Sequence, residues 1–138
     1  MAITYLQGGR VLDQFFGAVS PTIASTYYIA LSTTTPTNSG TNFTEPSTSG
    51  TAYARVAVLN DKSHWGNAAS SSLTNSTTIT FPISTASWGT VTYVGIYATA
   101  TVGAGSLLYY SLLGVSRVIA IGTTFYLNPG DITVSLTN

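Results

Sequence analysis

Charge is what this sequence lacks most. Four Lys or Arg and four Asp or Glu make up 6% of its 138 residues, and they cancel. An ordinary globular chain carries ~25% charged residues. The basic residues Arg10, Arg55, Lys62 and Arg117 are scattered along the chain. Nucleic-acid binding needs clustered Lys and Arg to displace the counterions of phosphate, so that partner class is not expected. Cysteine is absent, which excludes disulfides and thiolate metal sites. No run approaches the ~20 apolar residues of a membrane span. Gln7, Gly8, Gly9 and Arg10 interrupt the start before a signal-peptide apolar region could form, so synthesis and assembly in a cytoplasm are expected. A surface with so little charge has weak protection against association. It suits a subunit that spends its life against neighbours.

Acid–base chemistry is equally poorly supplied. His64 is the only histidine, too few for a zinc site without cysteine. A Ser-His-Asp arrangement could draw on His64 with Asp61 or Asp131, but no Gly-X-Ser-X-Gly elbow marks a serine. The four carboxylates Asp13, Glu45, Asp61 and Asp131 fall on different elements, where glycoside hydrolysis needs a close pair. Asn42 and Asn75 open glycosylation sequons, read as chance without a secretory signal. The glycines of residues 103–105 link two strands and precede no Lys-Ser/Thr, so they read as a turn. No enzyme, metal or cofactor is expected.

What the sequence does contain is β periodicity. Hydrophobic residues make up 44% and aromatics 12%, with nine tyrosines. Val11, Leu12, Phe15 and Phe16 share one face of a short N-terminal helix, with Gly17 as a left-handed stop. That face is expected to cover an open edge of the sheets, or to pack between subunits. From residue 26 the period becomes two. Tyr27, Ile29 and Leu31 point one way; Val56 and Val58 follow, with Arg55 opposite; Ile79, Phe81 and Ile83 point inward. Residues 91–98 are apolar on both faces, with Val91, Tyr93 and Tyr97 set against Val94 and Ile96, the mark of a central strand. Gly122-Thr123 predicts a tight hairpin. Asn128–Asp131 predicts a turn before Ile132, Val134 and Leu136. Residues 33–51 and 61–74 read as long loops. Their aromatics Phe43 and Trp65, with Trp88, are candidates for partner contact. Trp88, beside Gly89 at the head of the central strand, is expected to be buried with its indole N–H paired. The fold class is therefore all-β: one domain over residues 1–138, an antiparallel sandwich, jelly-roll or immunoglobulin-like, of about eight strands with a short helix.

Several stretches also resemble, in order and through nearly the whole chain, a family of small bacteriophage virion proteins often labelled tail-fibre proteins. They are Phe15-Phe16-Gly17, residues 28–36 (YIALSTTTP), residues 50–58 (GTAYARVAV) and residues 79–82 (ITFP). Residues 87–97 (SWGTVTYVGIY), 107–110 (LLYY) and 130–134 (GDITV) complete them. The Ser87-Trp88-Gly89-Thr90-Val91 stretch is the most specific. The resemblance implies a virion structural protein and carries over no catalytic residues. A compact chain with no repetitive shaft suits capsid decoration (cement) over joints between subunits. A tail-fibre or baseplate component is the second reading. The third is a carbohydrate-binding module stacking sugar on Trp65 or Trp88. Expected partners are copies of the chain, as a trimer, and the major capsid protein or tail proteins, with neither nucleic acid nor membrane. The candidate interface residues are Val11, Leu12, Phe15, Phe16, Phe43 and Trp65.

Overall fold

The computed structural model describes residues 1–17 and 19–136. Nine strands and one helix follow in the order β1 (Ala2–Ile3), α1 (Tyr5–Phe16), β2 (Thr26–Ser32), β3 (Val56–Leu59), β4 (Ser72–Thr74), β5 (Ile79–Thr80), β6 (Gly89–Tyr97), β7 (Leu107–Ile119), β8 (Tyr126–Leu127) and β9 (Thr133–Ser135). A five-stranded sheet in the order β1-β7-β6-β2-β3 faces two ribbons, β4-β9 and β5-β8, and every pairing is antiparallel. This is the all-β sandwich with a short N-terminal helix.

Alternation places the core between the layers. Ile29 and Leu31 of β2, Val58 of β3 and Val94 and Ile96 of β6 meet Ile79, Phe81, Phe125, Leu127 and Ile132 from the ribbon side. Burying one such side chain contributes roughly 1.5–3 kcal/mol. β6 lies at the centre of the sheet between β7 and β2, and both of its faces are packed. The second face carries its own small cluster of Ala30, Tyr97 and Leu107, packed by Tyr28, Phe43 and Tyr110.

Val91 departs from simple alternation. It lies with Val94 and Ile96 in the main core rather than on the tyrosine face. The departure coincides with a register irregularity: between the pairs Val91–Arg117 and Tyr93–Leu112, residues 113–116 of β7 stand against Thr92 alone, so regular pairing does not extend from Val91 to Tyr93. Ile83 departs too, and is exposed. Pro82 has no N–H to continue the β5 ladder, and buried Ser84 takes the inward position. Its hydroxyl reaches Ala120 O at 2.5 Å and Thr123 O at 3.2 Å. That clamp also changes the expected hairpin. Gly122 turns with φ +79°, but the strand beyond crosses to the other layer and pairs with β5. The turn at 128–131 forms as read, fixed by Asn75. That buried amide accepts from the N–H groups of Gly130 and Ile132 and donates to the carbonyls of Thr77 and Asn128.

The helix begins at Thr4, whose hydroxyl accepts from Gln7 N–H and donates to the carbonyls of Leu107 and Leu108, an N-cap that also ties α1 to β7. Gly17 ends it without the left-handed conformation, at φ −106°. Its need for glycine is space: a Cβ there would meet Asp13 O at 2.9 Å.

Candidate functional site

The ionisable groups show first what the chain does with its few charges. Arg55 faces away from Val56 and Val58, but that side is covered and Arg55 is buried. Its guanidinium grips Glu45 through two hydrogen bonds, Nε to Oε1 at 2.9 Å and Nη2 to Oε2 at 2.7 Å. Nη1 donates to Thr99 O at 2.7 Å and Ala104 O at 3.0 Å. The plane lies 3.6 Å over the Tyr97 ring. Glu45 also accepts from Tyr53 O–H and Gly103 N–H. One pair thus fastens the long 33–51 loop, the entry to β3 and the turn before β7, with four of the five guanidinium N–H groups and both carboxylate oxygens engaged. Burial, then the nearby Glu45 charge, drives the Tyr53 phenol far above its usual range. Burial likewise pushes Tyr97 up to about 12.

Asp61, Ser63 and His64 form the other polar knot. Asp61 Oδ1 accepts from the N–H groups of Ser63 and His64 and from Ser63 Oγ, closing a turn. The hydrogen bonds from Ser63 and then His64 hold this exposed carboxylate down to about 2. Ser63 Oγ lies 3.0 Å and Asp61 Oδ1 2.7 Å from the same ring nitrogen, His64 Nδ1. A catalytic triad needs the two partners on opposite nitrogens of the imidazole, so that a proton enters on one side while the other is held. This triangle holds a turn in shape. Asp131 is spent similarly, accepting from Asn128 N–H at 2.7 Å.

The candidate aromatics divide. Trp88 is 3% exposed and donates its indole N–H to Thr51 O at 2.8 Å. Trp65 is 6% exposed, in the main core, edge-on to Tyr27. Asp61 opens the turn that swings Trp65 inward, so a residue read as a surface contact is a core residue. Its Nε1 has no hydrogen-bond partner, and Trp65 lines a hollow of about 290 Å³ with Tyr27, Leu73 and Tyr109. Neither indole presents the broad open face that sugar stacking needs. Phe43 folds back on its own sheet. It sits over Gly95, where a Cβ would come within 2.6 Å of the ring, and edge-on to Tyr97 at 5.5 Å. Glycine at 95 is what lets the ring reach the backbone of β6.

The helix behaves in the opposite way. Leu12, Phe15 and Phe16 are exposed, Phe15 at 74% and Phe16 at 88%, and Val11 is half-buried. The face covers no edge of the sandwich. The reason is the tether: Thr4 pins only the helix start, and Gln7, Arg10, Val11 and Gln14 are the residues that line the cleft against the returning 21–24 segment. A second apolar zone lies at the far end of β7, where Leu112, Val115, Val118 and Ile121 are exposed beside an open groove of about 700 Å³. Sequence patterning missed this zone, because exposure depends on what stands opposite each residue.

A chain that carries so few charges and leaves aromatic and aliphatic side chains outside is built to be covered. Comparison of sequences agrees in kind: the profile of the podophage GP4 fiber I protein gp80 family matches residues 2–135. The chain belongs to that family. No curated protein matches it. Membership in the gp80 family makes this a bacteriophage virion structural protein, as the Ser87–Val91 stretch implied. Among the described residues, the gp80-family chain has no helix long and apolar enough to cross a membrane.

Proposed function

We propose that this protein is a non-enzymatic structural subunit of a phage fibre, assembled in the host cytoplasm, that works by packing against copies of itself and other virion proteins. The observation that carries the reading is the pair of exposed apolar zones, on α1 and on β7, on a chain matched almost end to end by a fiber-protein family. Contiguous apolar surface of this kind marks an interaction site on a soluble protein. The absence of a chemical role is supported by the His64 geometry and by Glu45, Asp61 and Asp131, each held by partners of its own. Capsid decoration is the second reading, favoured by a compact sandwich without repetitive shaft sequence.

Immunogold labelling of intact particles tests both. Label confined to fibres supports the proposal. Label spread over the capsid faces replaces it with the decoration reading. Particles that carry no label, from cells that express the protein, would remove both.

A further inference from the structure

Helix α1 carries a heptad stripe that its own chain leaves uncovered. Tyr5 and Leu12 stand seven apart, and Gly8 and Phe15 follow each by three, the a and d spacing of a helix–helix seam. Gly9 and Phe16 widen the stripe on one side. No residue of α1 is buried. A free helix of 12 residues is marginal in water, and each interior glycine costs about 1 kcal/mol relative to alanine. Yet Gly8 and Gly9 have nothing within 4 Å of a Cβ built on them. The stripe thus combines three aromatic rings, two open notches and no charge.

We propose that the occupant of this stripe is the same helix of a second copy of the chain, running antiparallel about Leu12. With Leu12 opposite Leu12, Phe16 of one copy falls against Gly8 of the other and Phe15 against Gly9. The stripe is therefore complementary to itself under a twofold rotation, the condition for an isologous interface. At 74% and 88% exposure, Phe15 and Phe16 offer roughly 300 Å² per copy. Two copies then remove roughly 600 Å² with these rings alone, about half of the ~1,200 Å² at which specific interfaces begin. Leu12 and the flanking residues add to it. This pairing rests on the fibre-subunit reading and names its first partner. A threefold count would need contacts elsewhere, for which the β7 zone is available.

Light scattering on the purified full chain reads the mass directly. The expected value is twice the 14.4 kDa chain, falling to a single chain in Phe15→Asp/Phe16→Asp with unchanged tryptophan fluorescence, since Trp65 and Trp88 are in the core. Because the chain has no cysteine, Leu12→Cys supplies a second reading: oxidation should give a covalent dimer on a non-reducing gel. Gly9→Leu should weaken pairing although it favours the helix. A monomeric wild type, or association that survives Phe15→Asp/Phe16→Asp, overturns the inference. A monomer that still incorporates into fibres would overturn the pairing and leave the fibre reading standing.

Discussion

Replacing Arg55 by alanine should be among the most destabilising changes in this protein. The guanidinium and the Glu45 carboxylate are 1% and 5% exposed, so water cannot take over when one is removed. Arg55→Ala leaves Glu45 with Tyr53 O–H and Gly103 N–H as donors, insufficient compensation for a buried anion. It strips the donors from Thr99 O and Ala104 O and removes the cation from the Tyr97 face. Breaking a buried pair from one side costs about 3–5 kcal/mol, and an orphaned buried carbonyl about 1–3 kcal/mol. These overlap, because the loop relaxes, and the expected loss is about 4 kcal/mol, against a typical total stability of ~5–15 kcal/mol. At roughly 4 °C per kcal/mol for a chain of this size, Tm should fall by about 15 °C. Urea unfolding followed by fluorescence measures it, with Trp65 and Trp88 as buried reporters. The loss should be insensitive to salt, because the pair is shielded from the ionic atmosphere. In Arg55→Met/Glu45→Leu, where no charge is left unpaired, most of the stability should return. A loss below about 1 kcal/mol for Arg55→Ala, the range of ordinary surface changes, or strictly additive single and double variants, would refute the account.

Trp88→Ala should cost about 3–5 kcal/mol by creating a cavity between Tyr53 and Phe81 and orphaning Thr51 O; calorimetry that finds under about 1 kcal/mol contradicts that packing. Alkaline titration has a defined sign. Tyr53 and Tyr97 both bind their protons more tightly folded than unfolded, so their contribution is complete below the unfolded phenol value of ~10 and is lost as pH rises from there through about 12 for Tyr97. Unfolding and phenolate absorbance should therefore rise together on that alkaline limb; two phenols titrating near 10 in a folded protein would contradict the burial.

The family itself was legible in the sequence, from the Ser87–Val91 stretch and its companions. Strand positions were legible as well, because alternation survives wherever one face is dry: Ile29 with Leu31, Ile79 with Phe81. Less readable were places where a single long-range contact decides. The side taken by Val91 accompanies a break in the β6–β7 register, which no period in β6 announces. The direction of the chain after Gly122 depends on the hydroxyl and backbone of Ser84, nearly forty residues earlier. Trp65 and Phe43 looked like loop aromatics since their neighbours in sequence are polar. Their neighbours in space are Tyr27 and Gly95, and no local pattern encodes those.

By itself the sequence determined the fold class and the poverty of acid–base chemistry, since both follow from composition and period, which are local properties. Tertiary structure alone decided which apolar side chains remain outside. Exposure is a property of what stands opposite a residue. A helix anchored at its start, by Thr4 and by Tyr5 N–H on Asn38 O, leaves Phe15 and Phe16 in water, while a turn at Asp61 takes Trp65 out of it.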